Sequence, residues 1–436
     1  MRRVGESFIE EVKTVQQDHE GNTWILRRST AEDSNGFSKH FIEKFNPQGV
    51  LILSLQEPSG THFNAFTIHP SGELTIAETR KIDTTEEYGK IFHIWFKRLK
   101  HDGTLITEVP LRDAGSDEEQ LYYMFDWDKK YSDIVSVETI PHVVDSEDKI
   151  RTYATNEELL SSVGEEAIFL AYTHSVKLYR LKKDLQIAWN KQVMPHHNLI
   201  LMGHLEAKLA VDETGNAYVA FPSIYEQIKA WKTHFKKNMD GLDIPKGILI
   251  VELNTAGELQ NYRLFHQENP LSVAGFFVQN DVITLGATLK VLGKLAKHNN
   301  THERDLLFFR AQFSTGEFYV HKIIDIQRDD YAHDFKIDGH GNGIFVGSNN
   351  FVQVDSGSFV EYGQGFALFV DKEGNKLDYV SLPGPRHTRI NSFDFRKSQS
   401  ERSGIVFGGR YDAPITHTAD EDKSLNYQKG LLGVLE

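Results

Sequence analysis

The feature that most limits what this chain can fold into is a unit of two β-hairpins that recurs along it. The clearest copy lies in residues 208–265, which open with KLAVDETGNAYVAF and close with GILIVELNTAGELQNYRLF. In each hairpin, β-branched and aromatic residues flank a turn that contains glycine, a pattern typical of antiparallel strands. One such unit cannot bury its apolar faces alone, so neighbouring copies are expected to pack against each other.

Seven copies of this unit can be counted, and they begin near Glu11, His62, Asp133, His204, Leu271, Tyr331 and Arg386. Their spacing of about 50 to 70 residues is close to the length of a four-stranded propeller blade. Residues 167–190 form a degenerate copy. The sequence therefore predicts an all-β fold, a seven-bladed β-propeller of four-stranded antiparallel blades. We expect it to form a single domain over residues 1–436.

The two ends of the chain are predicted to form strands of the same blade. The C-terminal segment KGLLGVLE matches the third strand of a blade, and residues 2–9 precede the first hairpin. We predict that residues 2–9 pair with residues 430–435, so that an N-terminal strand closes the ring. Such closure removes the exposed strand edges that an open ring would leave.

The hairpins LAVDETGNAYVAF and ILIVELNTAGELQNYRLF resemble the SBBP-type bacterial β-propeller repeat. That repeat has an apolar strand, Asp-x-x-Gly-Asn, a strand, an apolar strand, a glycine turn and a last strand. The resemblance covers about four or five units well, and it implies a propeller fold. It implies little about activity, because propeller repeats are scaffolds for diverse functions.

The motif Asp-x-x-Gly-Asn begins at Asp18, Asp212, Asp338 and Asp371. Aspartate and asparagine oxygens are calcium ligands, so one interpretation is a set of calcium sites. The other is turn chemistry, in which aspartate accepts hydrogen bonds within the turn and glycine adopts positive φ. So short a turn offers too few oxygens for calcium, and the motif predicts turns.

The loops of the predicted ring differ in length. Turns within hairpins are short, whereas many loops in the middle of a blade or between blades are long; these include residues 29–40, 112–133, 194–204, 223–247, 290–305 and 411–430. Middle loops and inter-blade connections share one end of a propeller, which we call the long-loop face. Because long loops usually carry function, this face is the predicted functional surface.

Polar and basic residues gather where the inter-blade connections enter the innermost strands. The predicted ligand-binding residues are His62, Asn64, His196, His204, His266, Arg328, His333, Arg386, His387, Arg389 and Asn391. Alignment of the innermost strands places Asn64, His333 and Asn391 at one equivalent position, with Asp334 and Asp394 just beyond it. These polar side chains either face the channel mouth or bond the backbone of the neighbouring blade. The sequence leaves both alternatives open.

Basic side chains at the channel mouth of an acidic protein favour an anionic small ligand, or a metal held by neutral histidines. No two histidines of the inter-blade connections show the spacing of a helical metal site, and the chain has no cysteine. Neither a metal nor any other cofactor is therefore predicted.

Residues 224–240 predict a short amphipathic helix, because their apolar residues recur at helical spacing. The helix either packs on the propeller as a lid or faces a partner or a membrane surface. Its lysines and the basic loop at residues 290–305 form a positive patch suited to an acidic partner.

The composition of the chain argues against several classes of protein. A formal net charge of −14 argues against nucleic-acid binding, which depends on clustered lysine and arginine. No apolar run approaches the length of a membrane span, and the N-terminus lacks the apolar core of a signal peptide. A cytoplasmic location and export from a bacterium both stay open. We expect a monomer.

Three functions are compatible with these features. The first is a binding scaffold that recognises a protein or carbohydrate partner through the long-loop face. The second is a lyase or hydrolase with a histidine and arginine pocket at the channel mouth. The third is a module of a bacterial surface or delivery apparatus. The first is preferred because no motif of a known catalytic constellation is present.

Overall fold

A computed structural model gives the architecture of the chain. The structure describes residues 2–4, 10–32, 38–58, 61–82, 90–111, 121–124, 160–172, 176–194, 207–223, 247–292, 302–326, 330–349, 352–353, 359–360, 363–382, 388–396, 404–413 and 427–435.

The described residues form 31 strands. In chain order these are β1 (Arg2–Val4), β2 (Glu10–Gln17), β3 (Thr23–Glu32), β4 (Ser38–Phe45), β5 (Leu51–Gln56), β6 (Thr61–Ile68), β7 (Leu74–Ile82), β8 (Lys90–Leu99), β9 (Leu105–Pro110), β10 (Leu121–Met124), β11 (Leu160–Val163), β12 (Glu166–Tyr172), β13 (Val176–Leu181), β14 (Ile187–Met194), β15 (Lys208–Val211), β16 (Ala217–Ser223), β17 (Gly247–Leu253), β18 (Leu259–His266), β19 (Pro270–Gln279), β20 (Val282–Leu292), β21 (His302–Gln312), β22 (Phe318–Ile324), β23 (Asp330–Ile337), β24 (Gly343–Asn349), β25 (Val352–Gln353), β26 (Phe359–Val360), β27 (Gln364–Val370), β28 (Lys376–Leu382), β29 (Thr388–Phe395), β30 (Ile405–Ala413) and β31 (Tyr427–Leu435).

These strands build seven antiparallel blades. From the innermost strand outwards, the blades are β2–β5, β6–β9, β11–β14, β15–β18, β19–β22, then β23, β24, β27 and β28, and last β29, β30, β31 and β1. Strand β10 adds to blade 2 by pairing with β8, and β25 pairs with β26 as a separate ribbon in blade 6. The innermost strands contact one another in a closed cycle, and the predicted seven-bladed propeller is confirmed.

Blade 3 begins later in the chain than predicted. The third unit was expected to begin near Asp133, but the innermost strand of blade 3 is β11, which begins at Leu160. Its turn at Gly164 lacks the Asp-x-x-Gly-Asn motif, so that motif does not mark this strand. The helix predicted at residues 224–240 lies outside the described residues.

Burial follows the position of a strand within its blade. Strand β17 is a nearly continuous apolar run and is almost wholly buried, and β24 is buried throughout. The outer strands β5 and β22 are largely exposed. Apolar side chains of neighbouring blades pack together around the whole ring, which buries both faces of each blade. Hydrophobic packing between blades is therefore the main source of stability.

The N-terminal strand closes the ring as predicted. Strand β1 pairs antiparallel with β31, with Arg2 opposite Leu432 and Val4 opposite Gly430. Blade 7 is thereby completed by residues from both ends of the chain, and the outer edge of β31 is covered.

The Asp-x-x-Gly-Asn segments form the predicted turns. In the turn at Asp212, Oδ1 accepts hydrogen bonds from the N–H groups of Thr214 and Asn216, both at 2.9 Å. Oδ2 accepts one from the side-chain amide of Asn216 at 3.2 Å. Gly215 has a φ of 85°, a conformation that glycine adopts without strain. The carboxylate oxygens are engaged by the turn itself.

Polar side chains of the innermost strands join neighbouring blades. The Asp334 carboxylate in blade 6 accepts a hydrogen bond of 3.0 Å from the N–H of Phe393 in blade 7. The Asp394 carboxylate in blade 7 accepts one of 2.7 Å from the N–H of Gln17 in blade 1. These bonds satisfy backbone groups on the channel-facing edges of innermost strands. For the two aspartates, the structure thus supports the alternative in which the side chain bonds the neighbouring backbone.

The same arrangement continues from blade 1 to blade 2. The side-chain amide of Gln16 donates to the carbonyl of Phe66 at 3.0 Å, and its oxygen accepts from the N–H of Ile68 at 3.3 Å. Blades 6, 7, 1 and 2 are therefore linked in sequence by side chains that bond to the next innermost strand.

Replacing Asp394 with alanine should lower the free energy of unfolding by about 1–3 kcal/mol, because the N–H of Gln17 loses its acceptor where little water can replace it. Asp378→Ala is the matched control. Each of the two aspartates accepts a hydrogen bond from the N–H of the next residue, at 2.7 Å for Asp378 and 3.0 Å for Asp394. Asp378, however, lies exposed on the outer strand β28. Urea unfolding gives the free energy of unfolding of both variants. An equal loss of free energy in the two variants would contradict the role given to Asp394.

Candidate functional site

The innermost strands share a local irregularity near their long-loop ends. In five blades, the pairing register between the innermost strand and its neighbour skips one residue, and the skipped residues are Lys13, Asn64, Ala274, His333 and Asn391. Such a β-bulge leaves one residue outside the ladder and redirects its side chain. The predicted equivalence of Asn64, His333 and Asn391 is confirmed, because each is the bulged residue of its blade.

The bulge in blade 7 connects two blades through a buried amide. The Asn391 side-chain N–H₂ donates to Glu11 Oε1 and to the carbonyl oxygen of Val12, each at 2.8 Å. Asn391 and Glu11 are both buried. The Glu11 carboxylate also contacts Lys13 Nζ at 2.8 Å. Asn391 therefore fixes a carboxylate of blade 1 beside the bulge of blade 7.

Positive charges surround this point. Burial would raise the pKa of Glu11, but the charges of Lys13, Arg389 and Arg410 outweigh burial and hold that pKa below its usual range. Glu11 is thus ionised at neutral pH.

His333 lies among the same charges. Burial lowers the pKa of His333 well below its usual range, and the charges of Arg389 and Arg410 lower it further. Lys208 and Lys13 contribute in the same direction. His333 is therefore neutral at physiological pH and adds no charge of its own.

These residues form one group, which we call the channel cluster: Glu11, Lys13, Lys208, His333, Arg389, Asn391 and Arg410. All but Arg410 belong to innermost strands, and they come from blades 1, 4, 6 and 7. With four cationic side chains, one carboxylate and a neutral histidine, the cluster is net positive. It can attract an anionic group to the centre of an otherwise acidic protein.

The predicted site residues are distributed unevenly. The structure brings His333, Arg389 and Asn391 into the channel cluster, and Asn64 occupies the equivalent bulge of blade 2. His266 is exposed at the end of the outermost strand β18. Five predicted residues lie outside the described part of the chain: His196, His204, Arg328, Arg386 and His387.

His62 lies in a second cluster, between blades 1 and 2. It is the second residue of the innermost strand β6, and its Nδ1 is 3.6 Å from Oε1 of Glu57, which follows β5. The His40 ring, on β4, lies 5.0 Å from the His62 ring, measured between centroids. Suitable donor atoms of His40, Glu57 and His62 all lie within 4.8 Å of one another. We call these three residues the His-Glu-His cluster.

Sequence reasoning missed several members of both clusters. Glu11, Lys13, Lys208 and Arg410 did not stand out among the many charged residues of the chain. The His40 and Glu57 pair could have been found from the hairpin register, because Phe41 pairs with Gln56 and the two residues occupy the next rung.

No protein family matches this chain, and no curated protein matches it. Among solved structures it is similar to the β-propeller domain of the Trilobed protease from Pyrococcus furiosus. The two are 9% identical, the match covers 97% of this chain and 95% of that chain, and the TM-score is 0.46. It is also similar to a streptogramin B lyase, with 9% identity, 98% and 100% coverage and a TM-score of 0.43.

A third similar structure is a protein of unknown function from Bacteroides caccae, with 8% identity, 86% of this chain and 94% of that chain covered, and a TM-score of 0.38. At such identities, similarity concerns the fold alone. The resemblance to the SBBP-type repeat is not confirmed by a family match.

None of the described residues belongs to a helix with the length and apolar character needed to cross a membrane.

Proposed function

We propose that this protein is a binding scaffold that recognises a protein or carbohydrate partner through its long-loop face, with an anionic group of the partner held at the channel cluster. The observation that carries the proposal is that cationic side chains from three blades all lower the pKa of the buried His333 ring. Lys13, Lys208 and Arg389 come from blades 1, 4 and 7, which are far apart in sequence.

The chemistry of the cluster favours carboxylate or sulfate groups. Arginine presents planar pairs of N–H donors that match a carboxylate, and lysine adds a point charge. Asn391 holds Glu11 to one side through a hydrogen bond of 2.8 Å, so one negative charge is already compensated there. In a partly desolvated position, a cationic side chain acts on an anion more strongly than it does in bulk water.

Binding is favoured over catalysis at this position. A general base works best when its pKa lies near the operating pH. Burial and the nearby arginines hold the pKa of His333 far below that range, so its imidazole is a weak base. A lyase or hydrolase that depended on this histidine would operate with a poor proton acceptor.

A titration of tri-galacturonate and of a hexaglutamate peptide, followed by calorimetry, tests the proposal. At least one of these anionic probes should bind more tightly than maltotriose, a neutral trisaccharide of similar size. Arg389→Ala combined with Arg410→Ala should weaken that binding at least about tenfold, because hydrogen bonds to charged groups contribute about 1.5–3 kcal/mol. Binding should also weaken as salt rises.

Lys372→Ala provides the matched control. Lys372 is a cation in the turn between β27 and β28, at the opposite end of the propeller, and its side chain is 60% exposed. Its removal changes the net charge by one unit without altering the channel cluster, so affinity should stay the same. Equal affinity for charged and neutral probes, or equal loss in the Lys372 variant, would show that the proposal is wrong.

A further inference from the structure

We propose that the His-Glu-His cluster is a binding site for a divalent transition-metal ion, with zinc as its expected occupant, that joins blade 1 to blade 2. This inference does not depend on the proposed function. It rests on the donor atoms and their placement, because two imidazole nitrogens and one carboxylate oxygen are a ligand set that zinc accepts in proteins.

The three donors come from strands of two neighbouring blades or from the residue that directly follows a strand. His40 lies on β4, the third strand of blade 1, and Glu57 directly follows β5, the strand paired with it. His62 is the second residue of β6, the innermost strand of blade 2. A metal ion bound by all three would therefore connect two blades at the long-loop face.

The Glu57 carboxylate is held in place before any metal binds. Its Oε1 accepts a hydrogen bond from the N–H of His40, and its Oε2 accepts one from the N–H of Phe63, each at 2.7 Å. Each carboxylate oxygen accepts more than one bond, so either oxygen still has capacity for a metal ion. The side chain is buried, with an exposed fraction of 7% for the residue.

The tautomer of His40 suits a ligand. Its Nδ1 lies 2.8 Å from the carbonyl oxygen of Phe63, and because a carbonyl only accepts, Nδ1 must carry the proton. The lone pair of the ring is then on Nε2. A metal-bound histidine commonly donates its other N–H to a backbone carbonyl in this way, which orients the ring.

Three protein donors leave one position of a tetrahedral zinc ion for water or for a group of a partner. The site lies on the long-loop face, between blades 1 and 2. A metal here would thus supply a second point of attachment on the predicted functional face.

Zinc titration against a chromophoric chelator tests the site with the intact chain. The wild-type protein should bind one zinc ion in competition with the chelator. Glu57→Gln and His62→Asn should each weaken binding by more than about 100-fold, because loss even of a group that only orients a ligand costs about 10- to 100-fold. Zinc should raise the melting temperature of the wild type and leave that of both variants unchanged.

His340→Asn is the matched control for histidines that bind zinc adventitiously, since His340 is exposed in the turn between β23 and β24. It should keep wild-type affinity. Cobalt provides a readout of the ligands, because the visible spectrum of the wild-type complex should be lost in Glu57→Gln. The inference is overturned if the wild type binds no zinc, if the three variants bind it equally, or if the cobalt spectrum persists in Glu57→Gln.

Discussion

Replacing Arg27 with leucine is expected to lower the free energy of unfolding by about 3–5 kcal/mol. Arg27 lies on β3 between two carboxylates inside blade 1. Its Nη2 is 2.7 Å from Glu43 Oε1, and its Nη1 is 3.1 Å from Glu10 Oε1. The exposed fractions of Arg27, Glu43 and Glu10 are 6%, 5% and 1%. Without the guanidinium, two buried carboxylates would face each other without their shared cation.

Two further variants identify the cause of that loss. Arg27→Lys keeps the positive charge but cannot form the two parallel bonds to Glu43, so its loss should be smaller. The combined change Glu10→Met, Arg27→Leu and Glu43→Met removes every charge, and it should recover most of the lost stability. Urea unfolding monitored by tryptophan fluorescence gives the free energies. A change within about 0.5 kcal/mol for Arg27→Leu would contradict this account.

Deleting residues 1–9 is expected to lower the melting temperature by several degrees, on the order of a few kcal/mol of lost pairing and burial. Strand β1 pairs with β31 from Arg2 to Val4 and covers the outer edge of blade 7. Without it, β31 becomes an exposed edge strand, which also favours association between molecules.

A chain whose first nine residues are replaced by glycine and serine controls for length, and it should melt like the truncated protein. A synthetic peptide of residues 1–9, added in excess to the truncated protein, should restore part of the lost melting temperature. If the truncated and full chains melt together, the N-terminal strand does not contribute to closure.

The fold could be predicted because its signals are local and repeated. A turn such as Asp212 to Asn216 marks its own hairpin, so a pattern found several times identifies a blade without knowledge of distant contacts. Blade 3 was placed too early because its first turn at Gly164 has no such motif. Strand β10 was missed for a related reason, since its pairing with β8 depends on a contact that no turn marks.

The candidate site could be predicted only in part, because side-chain direction depends on register. The alignment of Asn64, His333 and Asn391 followed from the turns, and the structure shows that all three are bulged. Lys208 and Arg410 join His333 only when blades distant in sequence close into a ring. Because the chain has many acidic and basic residues, their charges alone could not show which of them lie close together in the folded ring.

The side-chain bonds that run from blade 6 through blade 7 and blade 1 to blade 2 also bear on how such a ring can change in evolution. Propellers gain and lose blades by duplication or deletion of a repeat. A blade inserted between blades 7 and 1 would separate Asp394 from Gln17, whose bond of 2.7 Å depends on the two strands being neighbours. The inserted copy would have to carry both an acceptor like Asp394 and a backbone edge that fits it. These bonds therefore act against changes in blade number at this part of the ring.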